Sequence, residues 1–113
     1  MEVLRIDLVI ALLDGVVYVL AGIISAKWPA KDINGWYGYR TPRSMKSKEA
    51  WEFAQPYSAR SMTMWGYVLV GLALLIYLLT PSNILGQVVI WVMIVMAHLM
   101  PIIQTELALK NKF

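Results

Sequence analysis

The chain has 113 residues, 59% of them hydrophobic and only 15% charged, with a formal net charge of +3 and no cysteine. That apolar share exceeds the roughly 45–50% of a soluble domain, so the expectation is one membrane domain over residues 1–113 rather than a water-exposed fold. The missing cysteines exclude a disulfide, a thiol nucleophile and a thiolate metal site.

Three apolar runs follow in chain order, about Ile6 to Ala26, Met62 to Leu79 and Ile84 to Gln104. Each has the roughly 17–25 residues that a helix needs to cross the hydrocarbon core. The first is a poor signal peptide, because Glu2 and Asp7 flank Arg5 and Asp14 interrupts the apolar stretch. Asp14 shares a face with Ala11, Gly15, Tyr18, Gly22 and Ser25. Small residues on one face let helices approach closely, so Asp14 is expected to face the bundle and not lipid.

The long connection, residues 27–61, carries most of the charge. Gly35 and Gly38 bracket aromatics, which suggests a sharply turning backbone with Trp36, Tyr37 and Tyr39 on the membrane surface. Thr41-Pro42 interrupts any helix. After it, Ser44 or Ser47 is a candidate N-cap for a short amphipathic helix with Glu49 in its first turn. Its apolar side would be Met45, Ala50, Trp51, Phe53 and Ala54, and Pro56 would end or kink it. This segment is expected to lie flat at the interface. The fold class is therefore all-α integral membrane, with three transmembrane helices and an interfacial helix between the first two.

Thr80-Pro81-Ser82-Asn83 reads as a tight turn making the second and third runs an antiparallel hairpin. His98 lies in the third run on a stripe with Gln87, Trp91, Ile94 and Thr105, and Pro101 frees the Ala97 carbonyl. At about 1.5 Å per residue, Asp14 sits ~12 Å and His98 ~16–20 Å from the outer ends, so a hydrogen bond between them is possible.

Lys27, Lys31, Arg40, Arg43, Lys46, Lys48 and Arg60 share a side with Lys110 and Lys112, against Arg5 opposite. The positive-inside rule then puts the N-terminus outside, and the long loop and C-terminus in the cytoplasm. A basic loop held against the bilayer is not a nucleic-acid site.

In the loop, Asn34, Gly38, Arg40-Thr41-Pro42, Ser44, Ser47, Trp51 and Ala54 resemble the pattern of the SdpI-like immunity proteins. That pattern runs Asn-x3-Gly-x-Arg-Thr-Pro, then Ser or Thr, Ser, Trp and Ala-Asn or Ala-His before a further transmembrane helix. The resemblance covers residues 28–80 most closely. Departures are Lys48 for a frequent acid, Gln55 for Asn or His, Pro56 for a basic residue and Ala59 for Gly. It implies a bacterial cytoplasmic-membrane protein that protects the cell from a secreted, membrane-active peptide toxin. Some relatives also relay the toxin's presence to a cytoplasmic regulator.

The chemistry of single residues leaves alternatives. Arg40 either binds lipid phosphate or closes a helix C-terminus, or its fork clamps Asn34, Glu49 or Glu52. Glu49 and Glu52, three apart, fit a solvated helix face better than a catalytic pair. Trp51 reads as an interface anchor rather than a ligand contact. Asp14 and His98 are either polar glue or a functional intramembrane pair. No nucleophile elbow, metal-ligand spacing or phosphate-cradling loop is present, so no enzyme activity, cofactor or metal is expected.

Three readings remain. The first is an immunity protein meeting a peptide toxin. The second is a membrane-tethered adaptor that recruits a cytoplasmic regulator. The third is an oligomeric proton-linked transporter or membrane enzyme using Asp14 and His98. Three helices enclose little interior, so a homo-oligomer is expected.

Overall fold

A computed structural model describes residues 5–79 and 84–113. Within them the chain forms α1 (Ile6–Lys27), α2 (Lys48–Leu79) and α3 (Ile84–Lys112), with no strand among the described residues. All three are long and apolar enough to cross a membrane, which makes this a multi-pass membrane protein. The expected turn at Thr80–Asn83 lies outside the described residues.

α2 is the central element and packs on both other helices. Its contact with α1 is unusually close because glycines face backbone. A Cβ on Gly66 would lie 2.8 Å from the Val19 amide nitrogen and 2.9 Å from the Gly15 carbonyl oxygen. A Cβ on Gly22 would lie 2.8 Å from the Ala59 carbonyl oxygen. The small-residue stripe on α1 is thus a helix-packing surface, with Ala11, Gly15 and Gly22 buried. Leu8, Ala11, Leu69, Ala73, Ile90 and Ala97 fill the space where the three helices meet. Outward faces such as Leu13, Val17, Leu20, Val92 and Val95 remain exposed, as lipid-facing positions would be. At the far end of α1, Arg5 donates from Nε and a terminal nitrogen to both Asp7 carboxylate oxygens, at 2.9 and 2.7 Å.

The expected interfacial helix is not there. Residues 48–61 are the first turns of α2, which runs through Pro56 without ending. Proline removes one donor, that of the Glu52 carbonyl, and the following residues continue the helix. The apolar face assigned to lipid packs on protein instead. Ala50, Trp51 and Ala54 are fully buried, and Ala50 and Ala54 cluster with Leu109 of α3. Met45 alone of that set stays exposed.

Length explains the geometry. The 32 residues of α2 span ~48 Å and the 29 of α3 ~44 Å, against a hydrocarbon core of ~30 Å. The surplus of both helices falls at the same end, where contacts pair Ser61 with Gln104 and Ala54 with Leu109. The start of α2 and the end of α3 therefore rise together past the bilayer, and the loop of residues 28–47 folds onto them. Phe53 ties this end further, with its ring 5.9 Å from that of Phe113 and 4.8 Å from the Lys112 ammonium.

Candidate functional site

The loop is held by short-range turns first. Asn34 accepts the Trp36 and Tyr37 amide hydrogens on Oδ1 at 2.9 and 2.7 Å, closing an Asx turn. Tyr37 donates its hydroxyl to the Trp28 carbonyl at 2.6 Å. Pro42 opens the next turn, closed by the Met45 amide on the Thr41 carbonyl at 3.0 Å. Inside it Ser44, fully buried, accepts the Thr41 amide at 2.8 Å and lies 3.0 Å from the Tyr39 carbonyl it donates to. Ser47 is the cap of α2, its Oγ accepting the Ala50 amide at 3.0 Å.

Long-range bonds then dock the loop on the helices. Gln55 grips the backbone of Tyr39 with both ends of its amide. Oε1 accepts the Tyr39 amide at 2.7 Å, and Nε2 donates to the Tyr39 carbonyl at 3.0 Å. Trp51 donates its indole N–H to the Ala30 carbonyl at 2.7 Å. From α3, Glu106 Oε2 accepts the hydroxyls of Tyr39 and Thr41, each at 3.0 Å. Burial first, then the Glu106 hydrogen bond and charge, push the Tyr39 phenol above its ordinary value. Its hydroxyl therefore stays protonated and donating across neutral pH. One loop is thus bonded to both α2 and α3.

Gly38 sits at the centre of this packing. Its φ of +105° is a conformation that side chains resist. A Cβ there would also meet Gln55 Oε1 at 2.7 Å and Trp51 Cζ2 at 3.2 Å. Gly35 meets nothing within 4 Å. Gly38→Ala is expected to destabilise by about 1–3 kcal/mol and to free the loop, while Gly35→Ala leaves both unchanged. Proteolysis of the loop alongside thermal unfolding in detergent measures this; equal effects at the two glycines would contradict the docking described.

Several expectations are revised here. Trp51 is not an interface anchor: it is 0% exposed and wedged between loop and helix. Arg40 does not clamp Asn34, Glu49 or Glu52; it donates to the Gly35 carbonyl and stays exposed. Of the three loop aromatics, only Trp36 lies open, at 81% exposure, whereas Tyr37 and Tyr39 turn inward. Glu49 and Glu52 are exposed, Glu52 reaching Lys48 at 4.0 Å, a weak solvated pair. Thr41, Pro42, Ser44 and Ser47 shape the loop rather than face outward for a ligand, Pro42 alone among them being exposed.

Two residues were not singled out from sequence. Gln55 was noted only as a departure, yet an amide is the side chain that can donate and accept at one peptide unit. Glu106 had a signal: it is the single acid in residues 84–113, placed just past the third apolar run. Beside the loop, a pocket of about 540 Å³ opens between the end of α1 and the start of α2, lined by Ala30, Lys31, Asp32, Lys48, Glu52 and Gln55.

The intramembrane pair forms a separate centre. His98 Nε2 lies 2.7 Å from Asp14 Oδ2, and the His98 ring packs 4.7 Å from that of Tyr18. The pair bridges α1 and α3 along their seam, with the His98 side chain 46% exposed, so it does not line a sealed interior. Among the described residues no cluster of three or more His, Cys, Asp or Glu could hold a metal.

Residues 31–105 match the model of a family described as the SdpI/YfhL protein family. The uncharacterized protein YfhL of Bacillus subtilis (strain 168) is 43% identical over 65 residues, which cover 58% of this chain and 59% of that protein. The chain thus spans less than two thirds of that curated relative. No solved structure matches.

Proposed function

Since the chain belongs to the SdpI/YfhL protein family, we propose that it protects a bacterial cell against a membrane-active peptide toxin. The observation that carries this reading is how the loop distributes its residues. Asn34, Gly38, Tyr39, Thr41, Ser44, Trp51, Gln55 and Glu106 are consumed in holding it. Trp36 and Arg40 stay exposed on this braced loop, Arg40 with one bond, to the Gly35 carbonyl. An exposed indole and an exposed guanidinium on one loop suit an amphipathic peptide, since the ring takes apolar side chains and the fork takes a carboxylate or carbonyl.

Basic residues concentrated at the loop end orient it towards the cytoplasm of the cell membrane. That placement favours a second role for the same surface, recruitment of a cytoplasmic regulator. The two differ in readout: protection in the first, toxin-dependent retention of a soluble protein at the membrane in the second.

Survival of a toxin-sensitive Gram-positive host separates the readings. Wild type is expected to protect, and Arg40→Ala at matched expression to lose most of that protection, because Arg40 is exposed and gives the loop only its bond to the Gly35 carbonyl. Asp14→Asn is expected to keep protection and cost about 1 kcal/mol through a weakened bond to His98. Loss of protection in Asp14→Asn with Arg40→Ala silent would overturn the loop-centred reading in favour of an intramembrane one.

A further inference from the structure

A second concave feature has a different chemistry. Between α1 and α2, on the outer side of their contact, lies a groove of about 670 Å³. Ile23, Ala26, Met64 and Tyr67 form its apolar walls, and Lys27 and Arg60 line its loopward end, chiefly with their aliphatic stems. The chain directions put both cations at one end. α1 runs towards the loop, so Lys27 lies loopward of Ile23; α2 runs away from it, so Arg60 lies loopward of Met64 and Tyr67. Thr63 adds no free polarity, because its hydroxyl donates to the Ala59 carbonyl at 2.9 Å.

No carboxylate lines the groove, and among the described residues neither cation forms an ion pair. The Lys27 ammonium lies 5.6 Å from the Trp28 ring centroid. Its place in the last turn of α1 suits the helix dipole, but that account does not extend to Arg60, which lies mid-helix in α2. Two cations without an ion partner at one end of an apolar slot, where the apolar runs of α1 and α2 give way to the charged loop, call for an anion that carries a hydrocarbon tail.

We propose that this groove binds an anionic phospholipid, one acyl chain lying between α1 and α2 and the phosphate held by Lys27 and Arg60. The proposal stands on the groove's charge and shape and is independent of the immunity reading. Its lipid would brace the α1–α2 contact directly beneath the Trp51–Ala30 bond.

The test uses the full chain in nanodiscs of equal phosphatidylglycerol and phosphatidylcholine, released into detergent for native mass spectrometry. One retained phosphatidylglycerol per chain is expected, with little phosphatidylcholine. Lys27→Gln/Arg60→Gln should lower that preference by about 30-fold, at roughly a factor of five per cation. Arg43→Gln/Lys46→Gln removes the same charge from exposed loop positions and should change nothing. Ala26→Trp keeps both cations, fills the slot and should also evict the lipid. Excess inorganic phosphate should not displace it. Equal retention of the two lipids, equal loss in both double variants, or displacement by phosphate alone would each overturn the proposal.

Discussion

Trp51→Ala is expected to destabilise the protein by about 3–5 kcal/mol. The indole is fully buried, and its N–H is the bond that holds Ala30 at the exit of α1. Alanine would leave a ring-sized void beneath Gly38 and strand the Ala30 carbonyl. Neighbours do not readily collapse to fill the void, because Gln55 is committed to both the amide and the carbonyl of Tyr39. Trp51→Phe keeps most of the apolar volume and loses the N–H, so it should cost about 1–3 kcal/mol. Unfolding midpoints in mixed micelles, read by circular dichroism, give both numbers. A Trp51→Ala midpoint matching wild type would mean that the ring lies in lipid and that the loop is not docked.

The second large effect lies in the membrane. Gly66→Leu is expected to separate α1 from α2, at a cost of about 3 kcal/mol or more. The atoms in its way are the Val19 amide nitrogen and the Gly15 carbonyl, so no rotamer of a neighbour can relieve the clash. Gly71→Leu on the same helix meets nothing within 4 Å and should be neutral or slightly stabilising, since leucine favours a helix over glycine. Size-exclusion profile and unfolding midpoint of the pair decide it. Similar behaviour of the two variants would remove the close α1–α2 packing from this account.

Some of this architecture can be read along the chain. Run length and composition point to three helices long and apolar enough to cross a membrane, but not to the start of α2 at Lys48 or the end of α3 at Lys112. Spacing put Asp14 and His98 at compatible depths, and the structure brings their polar atoms to 2.7 Å. Ser47 was one of two candidate caps and is the one used. The motif residues were visible as a pattern, but what each one touches was not. Of the alternatives that spacing leaves open for Arg40, the clamp on Asn34 or a glutamate is not formed; it donates to the Gly35 carbonyl, and Asn34 is already spent on two amides of its own turn.

The class of solvent and the three candidate spans are legible along the chain, since both depend on how many consecutive residues lipid will accept. So are local turns, which are decided by side chains reaching a few residues along the backbone. Which apolar face meets lipid and which meets protein depends on packing between distant parts of the chain. Ala50, Trp51 and Ala54 are equally at ease in either, because both surroundings are poor in water, and nothing in residues 44–60 alone distinguishes them. What tips the choice is the far end of the chain. α3 outruns the bilayer by several turns and brings Leu109 against Ala50 and Ala54, and Glu106 against Tyr39 and Thr41. An interfacial helix therefore becomes the upright first half of α2.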